Sequence, residues 1–138
     1  MPEAPQVGHR AEYERIVTAE DIQKFADVTG DTNPLHRDAA FAAKTRFGEP
    51  IAHGMLSAGY ISAVLGTKLA PARVAVYLSQ SLRFLRPVKI GDTIKAVAEV
   101  KEIDAEKGTY TLETICYNQG GDLVVKGEAV VLLDAIQP

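Results

Sequence analysis

Four residues in the first half of the chain have types and spacing that could do chemistry: Asp31, His36, His53 and Gly54. Asp31 and His36 bound the run Asp31-Thr32-Asn33-Pro34-Leu35-His36, and His53-Gly54-Met55 opens the most apolar helical stretch of the protein. An imidazole exchanges protons near neutral pH, and a carboxylate orients a water molecule and accepts its proton. The first amides of a helix carry partial positive charge and suit a developing oxyanion, and glycine there lets a carbonyl approach the backbone. Such a set could hold one water against a carbonyl compound. Each residue also has a plainer reading. Asp31 and the Asn33-Pro34 pair form turns for conformational reasons alone, His36 serves as a loop histidine, and Gly54 fits a tight entry into a helix. His53 is read as structural.

The elements that must position these residues follow from periodicity. Residues 8–17 read as a first, moderately polar strand at a sheet edge. Thr18 with Glu20 and Asp21 predicts a capped helix over 19–29, with Ile22, Phe25 and Ala26 at helical spacing and Gly30 as its stop. Pro34 prevents that helix from continuing and forces a structured turn. Asp38 predicts a short helix over 39–46 anchored by Phe41 and Phe47. Residues 54–68 form the main helix, apolar on nearly every side and so expected to be buried. Four strands are expected over 74–86, 93–103, 109–118 and 123–133, joined by short turns. Helices first and strands afterwards give an α+β domain over 1–138, with one helix packed along a curved antiparallel sheet. A sheet edge that needs cover, and a helix apolar all round, predict a homodimer.

Composition narrows the function classes. With 138 residues, a net charge of −3 and scattered Lys and Arg, the chain has no basic field for nucleic acid. The polar start MPEAPQVGHR has no apolar signal region, and segment 54–66 is too short and too rich in Gly and Ser to span a bilayer, which predicts a cytoplasmic protein. No phosphate-binding glycine loop, metal-ligand spacing or serine-hydrolase motif occurs. No metal is expected. The single Cys116, in Thr114-Ile115-Cys116-Tyr117, reads as a buried strand thiol.

The run from Asp31 to Asp38, followed by His53-Gly54-Met55, resembles the hydratase motif of the MaoC-like family. More narrowly, the chain is similar to the short, single-domain (R)-specific enoyl-CoA hydratases that supply polyhydroxyalkanoate synthesis. The resemblance extends through Gln80-Ser81-Leu82-Arg83-Phe84, Pro87-Val88 and the Gly91-Asp92 turn. It implies a hot-dog fold, in which a five-stranded antiparallel sheet wraps a long helix, usually as a homodimer. It also implies catalytic roles for Asp31 and His36, and a thioester oxygen bound by the Gly54 amide. No cofactor is implied, because coenzyme A belongs to the acyl-CoA substrate. The expected reaction is hydration of a short- or medium-chain trans-2-enoyl-CoA to (R)-3-hydroxyacyl-CoA. Substrate contacts are expected at Asn33, Met55, Ala58, Ser62, Leu65 and Val130, and Asn33 also suits a turn role. Arg83, Arg86, Lys44 and Arg46 are candidates for the CoA phosphates. Alternatives are a dehydratase acting on a branched or dicarboxylic acyl-CoA, a hot-dog thioesterase, and a non-catalytic acyl-CoA-binding module.

Overall fold

A computed structural model describes residues 4–135. Strand β1 (Arg10–Ile16) leads into helix α1 (Ala19–Thr29), then a 3-10 turn at Pro34–His36 and the short helix α2 (Ala39–Ala42). The central helix α3 (Gly54–Ala63) follows, and then strands β2 (Arg73–Gln80), β3 (Arg83–Phe84), β4 (Thr93–Asp104), β5 (Thr109–Tyr117) and β6 (Leu123–Ala135). The sheet runs β1-β4-β5-β6-β2, every pairing antiparallel, with two-residue β3 also on β6. The expected five-stranded path is present, and β1 lies at an edge as its polar sequence suggested. The strand expected over 74–86 is instead two strands. A bulge between Tyr77 and Ser79 and the departure at Ser81–Leu82 separate β2 from β3 along the same neighbour.

Period-2 alternation sets the concave face of the sheet. Tyr110, Leu112, Thr114 and Cys116 of β5 point inward and are buried, while their neighbours are only partly covered. Tyr110, Leu112 and Cys116 share one core with Ile61 of the central helix and Val64 and Leu65 just past its end, and with Ile94, Ala96, Ala98 and Val100 from β4 and Val125, Ala129 and Val131 from β6. Burying each such Ile, Val or Leu side chain contributes about 1.5–3 kcal/mol, so the helix is held to the sheet mainly by apolar area. Cys116 is fully buried here, its thiol 3.7 Å from the Ser57 carbonyl and pushed up by burial to about 12.

Two expectations need correction. The second short helix ends at Ala42 rather than at 46, and fully buried Ala42 anchors it while Phe41 is 45% exposed. The central helix is not buried all round: Met55 is 54% exposed, and Gly59 and Ser62 continue the open face. Hydropathy reports which side chains tolerate burial. It does not report which face the sheet reaches. Past Ala63 the helix widens into a π-helical turn over Val64–Lys68, closed by the Leu69 amide on the Val64 carbonyl at 2.9 Å.

The cap of α1 carries an ion pair. Thr18 and Asp21 form a reciprocal capping box, and Arg15 donates to both Asp21 carboxylate oxygens, at 3.0 and 2.7 Å. The hydrogen bonds from Arg15 hold the Asp21 carboxyl below its ordinary value. Asp21→Asn is expected to cost about 1 kcal/mol at neutral pH, a modest figure because Arg15 is half exposed and its charge is screened by solvent. A carboxyl depressed on folding contributes stability above its unfolded value and loses it as pH falls through the folded one. The difference between wild type and variant in denaturant midpoint should therefore begin to close below about pH 3.9.

Candidate active site

The loop after α1 is built from side-chain bonds to its own backbone. Gly30, in the left-handed region at φ 82°, ends the helix and turns the chain toward Asp31. The Asn33 amide donates to Asp31 Oδ1 at 3.3 Å, and the Leu35 amide donates to Asn33 Oδ1 at 2.9 Å. Two such turns in succession, with Pro34 opening the 3-10 turn, fix Asp31 and His36 on one short loop.

The histidines are oriented by carbonyls. His36 Nδ1 donates to the Ile51 carbonyl at 2.7 Å, so in the neutral ring Nε2 is the bare nitrogen. His53 Nε2 donates to the backbone carbonyl of Asp31 at 2.9 Å. The two imidazoles stack, with centroids 3.8 Å apart and 24° between planes, and Phe25 lies 4.8 Å from His53. His53 is 3% exposed, and its Nδ1 is buried without a hydrogen-bond partner among the described residues. Such an unpaired group costs about 1–3 kcal/mol.

Asp31, His36, His53 and Gly54 open on one cavity of about 800 Å³. Met55, Ala58, Gly59 and Ser62 of α3 form one wall, and Tyr77, Leu78, Ser79, Gln80 and Leu82 form the other. Gly54 is the first residue of α3, so its amide is among those a helix leaves without an intrahelical partner. A second cavity of about 440 Å³ adjoins at Gly54 and Met55 and is lined by Arg46, Phe47, Phe84 and Arg86 among others. Arg83 and Lys44 line neither space.

Three of the expected substrate contacts lie elsewhere. Asn33 spends its side-chain oxygen on the turn and is not on the cavity wall. Leu65 is 2% exposed and belongs to the core. The open stripe of Met55, Gly59 and Ser62 continues to Gly66, because helical spacing leaves Leu65 at the margin of that face. Val130 stands on β6 between Ser79 and Thr111 and does not line the cavity.

Sequence reasoning missed the opposite wall. Tyr77 donates to Gln80 Oε1, and the Gln80 amide donates to the fully buried Thr114 hydroxyl at 2.9 Å and to the Ser81 carbonyl at 2.8 Å. A bulge places these residues, and a bulge leaves no regular trace in an apolar pattern. The run Gln80-Ser81-Leu82 was visible as part of the resemblance, but not as a wall.

Asp31, His36 and His53 also offer ligand atoms within 4.8 Å of one another, the one such group among the described residues. The geometry suits a metal poorly. Stacked rings direct their in-plane lone pairs side by side rather than at one point, and Nδ1, the His53 nitrogen left free by the carbonyl bond, is buried.

Gly54 carries a steric constraint. A Cβ built there would stand 2.7 Å from two carbons of the Phe84 ring. Phe84 is half exposed, so the ring can swing aside at modest cost to the fold. Gly54→Ala is expected to lower by about 10²-fold the kcat/KM of any reaction that seats a carbonyl against the Gly54 amide. Steady-state kinetics beside a thermal melt unchanged within about 1 kcal/mol would show this.

The model of the MaoC like domain matches residues 2–117, well over half of the chain. The chain belongs to the MaoC-like family. Its MaoC-like sequence is 45% identical over 128 residues to the (R)-specific enoyl-CoA hydratase of Aeromonas caviae, covering 93% of this chain and 95% of that one. It is 44% identical over 126 residues to the 3-hydroxybutyryl-CoA dehydratase of Methylorubrum extorquens, covering 91% and 79%. Among solved structures, the unliganded R-hydratase PhaJ1 from Pseudomonas aeruginosa superposes with a TM-score of 0.89 at 46% identity, covering 96% of this chain and 84% of that one. The fold is the hot-dog arrangement, a curled antiparallel sheet around a central helix. No helix among the described residues is long and apolar enough to cross a membrane.

Proposed function

We propose that this protein is an (R)-specific enoyl-CoA hydratase, adding water to a trans-2-enoyl-CoA to give the (R)-3-hydroxyacyl-CoA. One observation carries the reading: the Asp31 carboxylate and the bare Nε2 of His36 open beside the Gly54 amide on a single, mostly apolar cavity. Relatives known as (R)-specific enoyl-CoA hydratases, similar over 93% of this chain, support it.

The enoyl thioester lies with its oxygen at the Gly54 amide and C3 facing a water held by Asp31 and His36. His36 Nε2 takes one proton from the water, and Asp31 accepts a hydrogen bond from the remaining O–H. The oxygen bonds to C3, and the alkene electrons move to the thioester oxygen, where the helix start stabilises the enolate. Collapse of the enolate draws the proton from His36 to C2. Sequence left the division between Asp31 and His36 open, and the Nδ1 bond to Ile51 supports the imidazole as the carrier. Run backward, the same steps dehydrate a 3-hydroxyacyl-CoA, the type of reaction for which the 3-hydroxybutyryl-CoA dehydratase of M. extorquens is named.

The acyl tail fits between Met55, Ala58 and Ser62 on one side and Tyr77 and Leu82 on the other, a space suited to short or medium chains. Arg46 and Arg86 line the adjoining cavity, and their positive charge supports seating the anionic CoA end there. A homodimer belongs to this proposal. It is supported by exposed Val74, Val76, Tyr77 and Leu78 on the edge strand β2, next to the open face of the central helix. A cytoplasmic setting is part of the same reading.

The deciding experiment is crotonyl-CoA hydration with chiral analysis of the product, on protein whose mass has been measured by sedimentation. Formation of (R)-3-hydroxybutyryl-CoA by a dimer is expected. Release of free thiol with crotonate as the acyl product would point to a thioesterase, and binding without turnover to a carrier module.

A further inference from the structure

We propose that His53 is a positioning residue for this reaction: its ring, 3% exposed, aligns the three reacting groups and is not one of them. The proposal rests on the reading of Asp31 and His36 as the catalytic pair. His53 occupies the N-cap position of α3, yet its side chain makes no capping bond there. It reaches back 22 residues instead, and Nε2 donates to the Asp31 backbone carbonyl. The same ring is the platform on which His36 stacks. The peptide unit that carries the Gly54 N–H is also His53's own. One residue is therefore bonded to, stacked on, or hydrogen-bonded to each group that must act.

A purely structural role explains this set less well. An apolar ring in that slot would stack on His36 and Phe25 equally and would leave no unpaired Nδ1 in the interior. What an apolar ring lacks is the donor that ties the Asp31 loop to the helix start. Without that tie, the hydrogen bond of His36 to Ile51 is the one left between the carboxylate's segment and the helix start among the described residues. An offset of about 1 Å at reacting groups is worth about 10²-fold in rate. His53 thus acts on the chemical step through Asp31.

The test compares wild type with Asp31→Asn, His53→Phe, His53→Gln and the Asp31→Asn/His53→Phe double variant. Phenylalanine keeps the stacked ring and drops the donor. Glutamine drops the ring but sets an amide N–H at a similar reach. Turnover is read on crotonyl-CoA, and binding of unreactive butyryl-CoA is read by calorimetry, with a thermal melt for each variant. His53→Phe is expected to lower kcat about 10²-fold while butyryl-CoA affinity stays within about threefold, and His53→Gln is expected to regain about tenfold of the loss. Added to Asp31→Asn, His53→Phe should cost less than about threefold more, because both changes spoil one arrangement.

A His53→Phe variant within about threefold of wild-type kcat would overturn the proposal. So would equal losses in the two His53 variants, or losses that multiply fully in the double variant. Wild-type rates in Asp31→Asn would instead remove the catalytic-pair reading, and this proposal with it. Should the phenylalanine variant fail to fold, the glutamine variant decides: kcat within about tenfold of wild type supports the donor role, and a deeper loss with butyryl-CoA binding intact overturns it.

Discussion

Asp31→Asn and His36→Gln should each lower crotonyl-CoA hydration by about 10²–10⁴-fold, the range general acid-base groups contribute. Asparagine is the telling change at position 31. Its side-chain oxygen can still accept the Asn33 amide, so the turn survives while the negative charge, to which the proposed mechanism assigns the water and the imidazolium, is gone. Glutamine at position 36 loses the Nδ1–H bond to the Ile51 carbonyl and replaces a proton carrier with an amide that cannot take a proton at working pH. Both sites are at least partly open to solvent, so thermal midpoints should stay close to wild type. Initial rates followed by loss of enoyl absorbance, beside a melting curve, check the pair. A wild-type rate in either variant would remove the mechanism.

Gly127→Ala is expected to be the most destabilising single methyl in the protein. A Cβ at that position would stand 1.8 Å from the carbonyl oxygen of Ser81 and 2.8 Å from its carbon. Those are backbone atoms, and backbone cannot rotate aside as the Phe84 ring can. Ser81 is also pinned there: its amide donates to the Glu128 carbonyl at 2.8 Å, and its hydroxyl accepts from the Glu128 amide at 3.0 Å. The crossing segment must lift off β6 or the strand must bend, and overpacking of this kind costs about 3 kcal/mol or more. For a chain of this size that is a drop of about 10 °C in thermal midpoint. Activity should fall as well, since Gln80 and Leu82 on either side of Ser81 line the cavity. A thermal midpoint within about 2 °C of wild type would show that the strand and the crossing segment are less tightly apposed than described.

Both effects trace to contacts at different distances along the chain, which marks what was legible in advance. The capped helix over 19–29 was read to the residue, because Thr18, Asp21 and Gly30 act on their immediate neighbours. The Asp31–His36 turn was legible for the same reason, since Pro34 and two short polar side chains settle its backbone locally. Strand bounds came within a few residues wherever a turn residue punctuated them. The candidate pair and the Gly54 amide were found from residue type and resemblance, and the cavity brings them together.

The rest depended on partners far away in sequence. The break between β2 and β3 is set by Gly127, some 46 residues after Ser81, whose missing side chain lets the crossing carbonyl approach. The role of His53 was invisible because its partner is a backbone carbonyl, which has no residue type to read. Spacing and likeness point Leu65 and Val130 toward the pocket, but the sheet's curvature decides which apolar side chains face core and which face open space. By itself, then, the sequence determined the local conformations and the reactive groups, because both follow from short-range sterics and residue chemistry. Tertiary structure alone decided which walls those groups share and which tautomer His36 presents, because these depend on non-local contacts whose register no local pattern encodes.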